Sequence, residues 1–306
     1  MARKKKEVAV VHETTIDPVP LNPDSVENAD KQDVTEAILD SPAGLEEIKT
    51  FKPISWSTSK ADTANECLYK YKRVYQDKVP ATGRALWLGS TIHDIQADEL
   101  ISRNTDVNAL VKRLDDKGHV DPEIYAMTRA ITNFTTKWVN YITEHQLEYT
   151  VEKRYAINRE FKTTEFLAKD VYIRGIIDLW AYDEKNKRLI IVDHKTSKSA
   201  SNAQAVKEHK QLNLYIWMLT KMFNLDWERA NVALNFTRHD KLVWAGVSRE
   251  ESEDFGIAYI KLLADLEDRV NECLETGVWP REPGFYCNWC SFKAECKNYI
   301  PQKEEK

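Results

Sequence analysis

The sequence predicts an α/β fold in which a mixed central sheet is flanked by helices. Two apolar runs, Gly175–Tyr182 and Leu189–Val192, enclose the polar segment Asp183–Arg188, which is the pattern of a β-hairpin. Helical periodicity follows in residues 203–223 and in residues 250–276, with one apolar stripe along each segment. Strand-like and helix-like segments therefore occur together in one ordered region of the chain.

Other elements are predicted on both sides of this hairpin. Helical patterns precede it in residues 61–71 and 87–101, and residues 107–145 are predicted to be helical with polar interruptions. Further strands are predicted in residues 149–160, 232–236 and 242–245. Ser57 or Ser59 is the candidate N-cap of the first helix, and Gly277 with Pro280 ends the last one. Cys273 lies on the apolar stripe of that last helix and is expected in the core.

Composition limits the class of protein. The 306 residues have a net charge of −5, which argues against polyanion binding by bulk charge alone. No apolar run approaches the ~20 residues that span a bilayer, and VAVV after the basic start is shorter than the roughly 7–15 apolar residues of a secretory signal. A soluble, cytoplasmic protein without a membrane partner is expected.

Three regions differ in composition. Residues 1–50 are rich in acidic and small polar residues and poor in aromatics, so a disordered acidic leader is predicted. Residues 51–300 carry the predicted elements and form one ordered domain. Residues 301–306 are expected to be a frayed tail.

Two carboxylates stand together on the predicted hairpin. A turn centred between Lys185 and Asn186 places Asp178 opposite Asp193, and like charges in that position destabilise a sheet unless something compensates them. Lys195 lies on the same strand face as Asp193. Ordinary surface charge is the alternative, but Asp193 follows the buried-type run LIIV, where unpaired charge is costly. A divalent cation site is therefore predicted.

Three cysteines lie within ten residues, in the pattern Cys287-x2-Cys290-x5-Cys296. In a reducing compartment this spacing indicates metal ligands rather than a disulfide framework, with free thiols as the alternative. A tetrahedral site needs a fourth thiolate, for which Cys67 is a better candidate than Cys273. Zinc and an iron–sulfur cluster both remain open, and the absence of a second short cysteine pair favours iron–sulfur.

Two further features have ordinary explanations when taken alone. His93 lies beside the apolar stripe of the predicted helix 87–101, and such a histidine is usually a satisfied core or surface residue. The basic and aromatic run Tyr69–Arg73 reads as a solvated helix face.

Six motifs in order resemble the RecB-type branch of the PD-(D/E)XK nucleases over residues 57–297. The flanking cysteines make the chain similar to the iron–sulfur members of that branch, the AddB nuclease domain and the CRISPR-associated RecB-like exonucleases. Leu68 stands where many members have proline. The matching residues are Cys67, His93, Gly175-Ile-Ile-Asp178, Val192-Asp193-His-Lys195-Thr196, Gln211-x3-Tyr215, and the Cys287, Cys290 and Cys296 group.

The resemblance implies a restriction-endonuclease-like core and a role for each matching residue. His93, Asp178 and Asp193 would ligate Mg²⁺ or Mn²⁺, and the backbone at Asp193 or His194 could contribute. Lys195 would activate the attacking water, and Gln211 with Tyr215 would contact DNA or support the site. The four cysteines would bind a 4Fe–4S cluster, with zinc as the alternative. The basic residues expected to contact phosphate are Arg84, Arg174, Lys198 and those of Tyr69–Arg73.

These features predict a metal-dependent DNA nuclease, an exonuclease acting on single-stranded ends in DNA repair, recombination or phage DNA metabolism. No GxxxxGK[ST] helicase loop is present in the sequence, so a stand-alone nuclease is expected. A recombination or helicase protein as partner is left open. The alternative is a non-catalytic DNA-binding or recombination-partner module that retains the fold.

Overall fold

The computed structural model describes residues 53–80 and 83–296; the predicted leader 1–50 and tail 301–306 lie outside the described residues. Five strands form one sheet in the order β1-β2-β3-β4-β5. β3 and β4 are parallel and the other neighbours are antiparallel, which confirms the predicted mixed sheet. The strands are β1 Tyr149–Ile157, β2 Ile173–Asp183, β3 Arg188–Lys195, β4 Arg229–Phe236 and β5 Lys241–Ser248.

The helices of the described residues lie close to the predicted segments. None of them is long and apolar enough to cross a membrane. The last helix begins with a capping box at Ser248 and ends at Gly277, whose φ of +70° is left-handed. The helices are α1 Thr58–Glu66, α2 Leu68–Tyr71, α3 Arg84–Ser102, α4 Val107–Asp116, α5 Pro122–His145, α6 Ala203–Lys207, α7 Lys210–Phe223 and α8 Arg249–Thr276.

Two segments predicted as single helices are each broken. The first breaks at Cys67, whose backbone is extended at φ −168° and ψ 115°. Tyr69 N there donates to Pro280 O at 2.9 Å, so a contact with the segment after α8 replaces helix continuation. The second breaks before α7, where Asn213 Nδ2 donates to Lys207 O at 2.7 Å and to His209 O at 3.1 Å. A side chain therefore satisfies carbonyls that a continuous helix would have paired.

Both faces of the sheet are covered by helices. Helices α1, α7 and α8 contribute to the core on one face, and α3 with α5 covers the other. In β3, Leu189 and Ile191 belong to the first core, whereas Ile190 and Val192 belong to the second. A run of four buried apolar residues is expected where both faces of a strand are packed.

The β2–β3 hairpin has the predicted register. Its ladder runs from Asp183 paired with Arg188 to Leu179 paired with Val192. The next step in that register would pair Asp178 with Asp193, and the ladder ends just before it. β3 nevertheless continues beside β4 to its last residue. The two carboxylates therefore lie at the end of the hairpin ladder rather than within it.

The ladder between β1 and β2 is interrupted at one step. Pairing is present on both sides of Glu152 and Asp178 but not between them. Glu152 has a left-handed φ of +48°, which is uncommon for a residue other than glycine. Ile177 packs in the core with α7 and α8, whereas Leu179, two residues on, packs with α5. Side chains two residues apart in β2 therefore pack on opposite faces of the sheet before and after Asp178.

Candidate active site

Asp178 lies at this interruption and is buried, with 5% of its surface exposed. Its Oδ2 accepts a hydrogen bond from His194 N at 2.7 Å and lies 3.2 Å from His93 Nδ1. Burial and then the nearby charge of Asp193 raise the pKa of Asp178, while the contact with His93 lowers it. The carboxylate is therefore buried and held between two neighbouring groups.

His93 reaches Asp178 from α3, and Glu152 reaches it from β1. His93 Nδ1 lies 3.8 Å from Glu152 Oε1. Among the described residues, His93, Glu152 and Asp178 are the one group whose potential metal-ligand atoms all lie within 4.8 Å of one another. Burial lowers the pKa of His93, but hydrogen bonds to Asp178 and Glu152, with the charges of Asp178 and Asp193, outweigh it and raise the pKa to about 10. The sequence predicted two members of this group and missed Glu152.

Asp193 is the more deeply buried carboxylate, with 1% exposure. Its Oδ2 lies 2.6 Å from Lys195 Nζ and forms an ion pair with it. The angles of this contact are not those of a hydrogen bond, so neither carboxylate oxygen has a hydrogen-bond partner in the described residues. Asp193 lies outside the 4.8 Å group, yet its charge raises the pKa of both Asp178 and His93. A buried carboxylate with free lone pairs is costly unless a cation neutralises it.

Lys195 belongs to a hydrogen-bonded chain that links β3, α7 and β2. Lys195 Nζ donates to Gln211 Oε1 at 3.2 Å, and Gln211 Nε2 donates to Tyr215 Oη at 2.8 Å. Tyr215 Oη in turn donates to Ile176 O at 2.6 Å. A Cβ on Gly175 would lie 2.5 Å from Tyr215 Cε1, so only glycine leaves room for this ring. The predicted residues Lys195, Gln211 and Tyr215 are thus brought together.

The side chain of His194 lies on the opposite face of β3 from those of Asp193 and Lys195, because side chains alternate along a strand. It is buried, its Nδ1 lies 2.9 Å from Asn235 Nδ2, and its ring packs edge-on to Phe134 with centroids 5.1 Å apart. Burial, with the charges of His93 and Lys195, holds the pKa of His194 well below its usual value. His194 therefore faces Asp178 through its backbone.

A cleft of about 1250 Å³ opens onto the carboxylates. Its walls come from the start of α1, from α3, from β1 and β2, and from α7. The site residues that line it are His93, Glu152, Asp178, Gln211 and Tyr215.

The family model of the PD-(D/E)XK nuclease superfamily matches residues 55–297. The chain belongs to this superfamily. No curated protein matches the chain. Among solved structures it is similar to the crystal structure of SSO0001, at 15% sequence identity and a TM-score of 0.35, over 84% of this chain and 92% of that chain.

PD-(D/E)XK nucleases use divalent metal ions, and the residues of this member fit such an ion. Asp178 and Glu152 offer carboxylate oxygens, which Mg²⁺ and Mn²⁺ prefer, and His93 offers an imidazole nitrogen. The oxygens of Asp193 that accept no hydrogen bond lie buried next to this group.

This PD-(D/E)XK domain also gathers four of its five cysteines. Cys67, Cys287, Cys290 and Cys296 line one small pocket together with aromatic and basic residues. Among the described residues, no three of these sulfurs lie within 4.8 Å of one another. Cys273 is separate from them and buried in the core at 4% exposure, as its place on the apolar stripe predicted.

The predicted phosphate-contacting residues are scattered over the domain. Arg84 is paired with Asp121 and Glu123, so its charge is already neutralised. Within the run 69–73, Tyr71 is fully buried and Arg73 pairs with acidic residues. Lys198 is exposed, and Arg174 alone of the predicted set lines the cleft.

Glu152 had no sequence signal of its own. It lies in a predicted strand whose polar positions alternate with apolar ones, as in any half-exposed strand. Only the pairing of β1 with β2 brings it opposite Asp178.

Proposed function

We propose that this PD-(D/E)XK protein is a metal-dependent DNA nuclease of the RecB-type branch. In this proposal it degrades single-stranded DNA from an end, in repair, recombination or phage DNA metabolism. The observation that carries the proposal is the buried Asp193, paired with Lys195, beside the group of His93, Glu152 and Asp178. His93, Glu152 and Asp178 line one cleft, and Asp193 with Lys195 adds a buried carboxylate and a cation to the arrangement.

The metal would be Mg²⁺ or Mn²⁺, held by Asp178, Asp193, His93 and Glu152. When bound, such an ion polarises the phosphate and lowers the pKa of a coordinated water. His194 N supports the site because its hydrogen bond fixes Asp178 Oδ2 in position.

Lys195 has the role of orienting the attacking water and stabilising negative charge at the phosphate. Its ammonium is held between Asp193 Oδ2 and Gln211 Oε1, at 2.6 and 3.2 Å. Tyr215 fixes the orientation of the Gln211 amide, so both residues act on the reaction through the position of Lys195.

A single-stranded substrate is supported by the apolar side chains on the cleft. Leu86 and Leu167 are 58% and 78% exposed, and both line the cleft with Phe166. Unstacked bases gain by packing on such surfaces, whereas a paired duplex keeps its bases covered.

The four cysteines of the pocket would hold a 4Fe–4S cluster, with zinc as the alternative. Cys67 lies at the break between α1 and α2, and the other three follow α8, so a cofactor there would link the two ends of the described domain. The absence of a second short cysteine pair in the sequence favours the cluster over zinc.

Digestion of end-labelled DNA tests the proposal. Single-stranded and duplex oligonucleotides are incubated with the protein plus Mn²⁺ or plus EDTA, with the label at either end. The expected result is metal-dependent shortening of the single strand from one end. Binding of DNA without any cleavage in Mn²⁺ would favour the non-catalytic module instead.

A further inference from the structure

We infer that Arg154, Phe166 and Arg174, here called the arginine clamp, form a subsite that binds a phosphate group of a DNA strand. The inference rests on the proposed function because it takes a DNA strand as the ligand. The clamp is separate from the residues proposed to hold the metal.

Both guanidinium groups lie against the same aromatic ring. Arg174 Cζ is 5.3 Å and Arg154 Cζ is 5.5 Å from the centroid of Phe166. In the antiparallel ladder Arg154 pairs with Ile176, and Arg174 pairs with Ala156, so the two arginines are diagonal neighbours on adjacent strands. The ring holds two cations side by side.

Neither arginine of the clamp is neutralised by an acidic residue that the structure describes. Among residues 53–80 and 83–296, neither guanidinium forms an ion pair or donates a hydrogen bond. A third cation is close, because burial, followed by the charge of Arg174, lowers the pKa of Lys60 to about 8. Neighbouring like charges repel, and a bound anion would relieve that repulsion. Phosphate oxygens suit guanidinium groups, which offer paired donors in one plane.

The clamp lines the same cleft as Glu152 and Asp178. Arg154 follows Glu152 by two residues, which is roughly 7 Å along a strand at about 3.3 Å per residue. A phosphate held by the clamp would therefore belong to the same short stretch of strand as a phosphate at the proposed metal site.

The chain contains a matched control for this arrangement. Arg159 Cζ lies 4.4 Å from the ring centroid of Tyr172, so this arginine is also stacked on an aromatic ring. Its guanidinium, however, forms an ion pair with Glu267 at 2.5 Å. Arg159 thus keeps the stacking and lacks the free charge.

The test is the affinity of the full chain for a fluorescent single-stranded oligonucleotide in EDTA, measured at several salt concentrations. Arg154→Ala with Arg174→Ala should weaken binding by roughly tenfold and lower the salt slope by about 0.7, which is the contribution of one phosphate contact in a single strand. Arg159→Ala should bind like wild type, and the Arg154→Lys, Arg174→Lys pair should keep most of the slope. Oligonucleotides with a 5′-phosphate or a 5′-hydroxyl distinguish a terminal from a backbone phosphate.

The outcomes separate the clamp from the proposed function. Clamp-dependent binding supports the clamp even if wild type then fails to cleave DNA in Mn²⁺, a failure that counts against the nuclease alone. If the alanine pair keeps the wild-type affinity and salt slope, the clamp is overturned and the nuclease proposal is unaffected. A wild type that binds no DNA in EDTA would also overturn the clamp. If the alanine pair does not fold, Arg154→Gln and Arg174→Gln singly decide the question, each by weaker binding and a slope loss of up to about 0.7.

Discussion

Glu152 lies across the β1–β2 ladder from Asp178, at the one step where pairing between these two described strands is interrupted. A left-handed backbone at a residue other than glycine or asparagine costs of order 1–3 kcal/mol and is found preferentially at functional sites. The distortion brings the Glu152 carboxylate into the group with His93 and Asp178. Strand geometry that is unfavourable by itself thus completes a set of metal-ligand atoms.

Glu152→Asn tests whether that carboxylate binds metal. Asparagine tolerates the left-handed backbone, which offsets the lost contact with His93, so the melting temperature of the metal-free protein should change little. Loss of the carboxylate should weaken Mn²⁺ binding by at least about tenfold, measured by calorimetry. A structural role alone predicts the reverse, lower stability with unchanged Mn²⁺ affinity.

Glu160→Gln is the matched control for that substitution. Glu160 follows β1 and pairs with Lys162 at 2.8 Å, with both side chains about 70% exposed or more. Exposed pairs of this kind contribute little to stability, because water and salt screen them. Mn²⁺ affinity and melting temperature should both stay at the wild-type values.

Metal binding should release a proton from His93. Since its pKa is raised to about 10 without metal, His93 is protonated at pH 8, and a metal ligand must be neutral. Adding Mn²⁺ at pH 8 in weak buffer with an indicator dye should release about one proton per protein from wild type and none from His93→Ala. Equal proton release from the two proteins would contradict the role of His93. His145→Asn, at the C-terminal end of α5, is the control and should release as many protons as wild type.

The same shift makes the stability of the metal-free protein depend on pH. The folded-state pKa of His93 lies above its unfolded value, so the protonated histidine stabilises the folded state. That contribution is complete below about pH 6.5 and is lost as the pH rises to about 10. Urea denaturation of wild type should therefore show a loss of stability between these values that His93→Ala lacks.

Gly175→Ala should disturb the chain of hydrogen bonds that holds Lys195. The added Cβ would meet the Tyr215 ring at 2.5 Å, and overpacking of this kind costs about 1–3 kcal/mol. We expect a lower melting temperature and slower DNA cleavage. Gly89→Ala is the control, because its Cβ would lie 3.6 Å from Thr196 Oγ1, an ordinary contact in the same cleft. Cleavage by Gly175→Ala at the wild-type rate would show that the reaction does not need the Tyr215 ring in this position.

If the cysteine pocket holds an iron–sulfur cluster, the protein should be brown when it is purified without air. Cys67→Ser and Cys287→Ser should each lose the colour and the bound iron, and both should melt at a lower temperature because the two ends of the domain are no longer linked. Cys273→Ala should keep the colour, since Cys273 lies in the apolar core. A colourless wild type containing one zinc per chain would identify the alternative metal.

Local patterns in the sequence were enough to predict the sheet and part of the site. Alternating and buried-type runs gave the register of Asp183 with Arg188 through Leu179 with Val192, because a short turn fixes the pairing that follows it. Contacts between distant segments could not be read in this way. The helix break at Cys67 depends on Pro280, and the position of Glu152 depends on the distortion of β1 opposite Asp178.

The most direct test of the central claim compares the Mn²⁺-dependent cleavage rate of single-stranded DNA by wild type and by Asp193→Asn. The carboxamide keeps the shape of the buried side chain and removes the charge, so cleavage should fall by roughly a thousandfold, or about 4 kcal/mol, with little change in melting temperature. Asp226→Asn, which removes an exposed carboxylate paired with Lys187, should cleave like wild type. Cleavage by Asp193→Asn at the wild-type rate would contradict the assignment of this site.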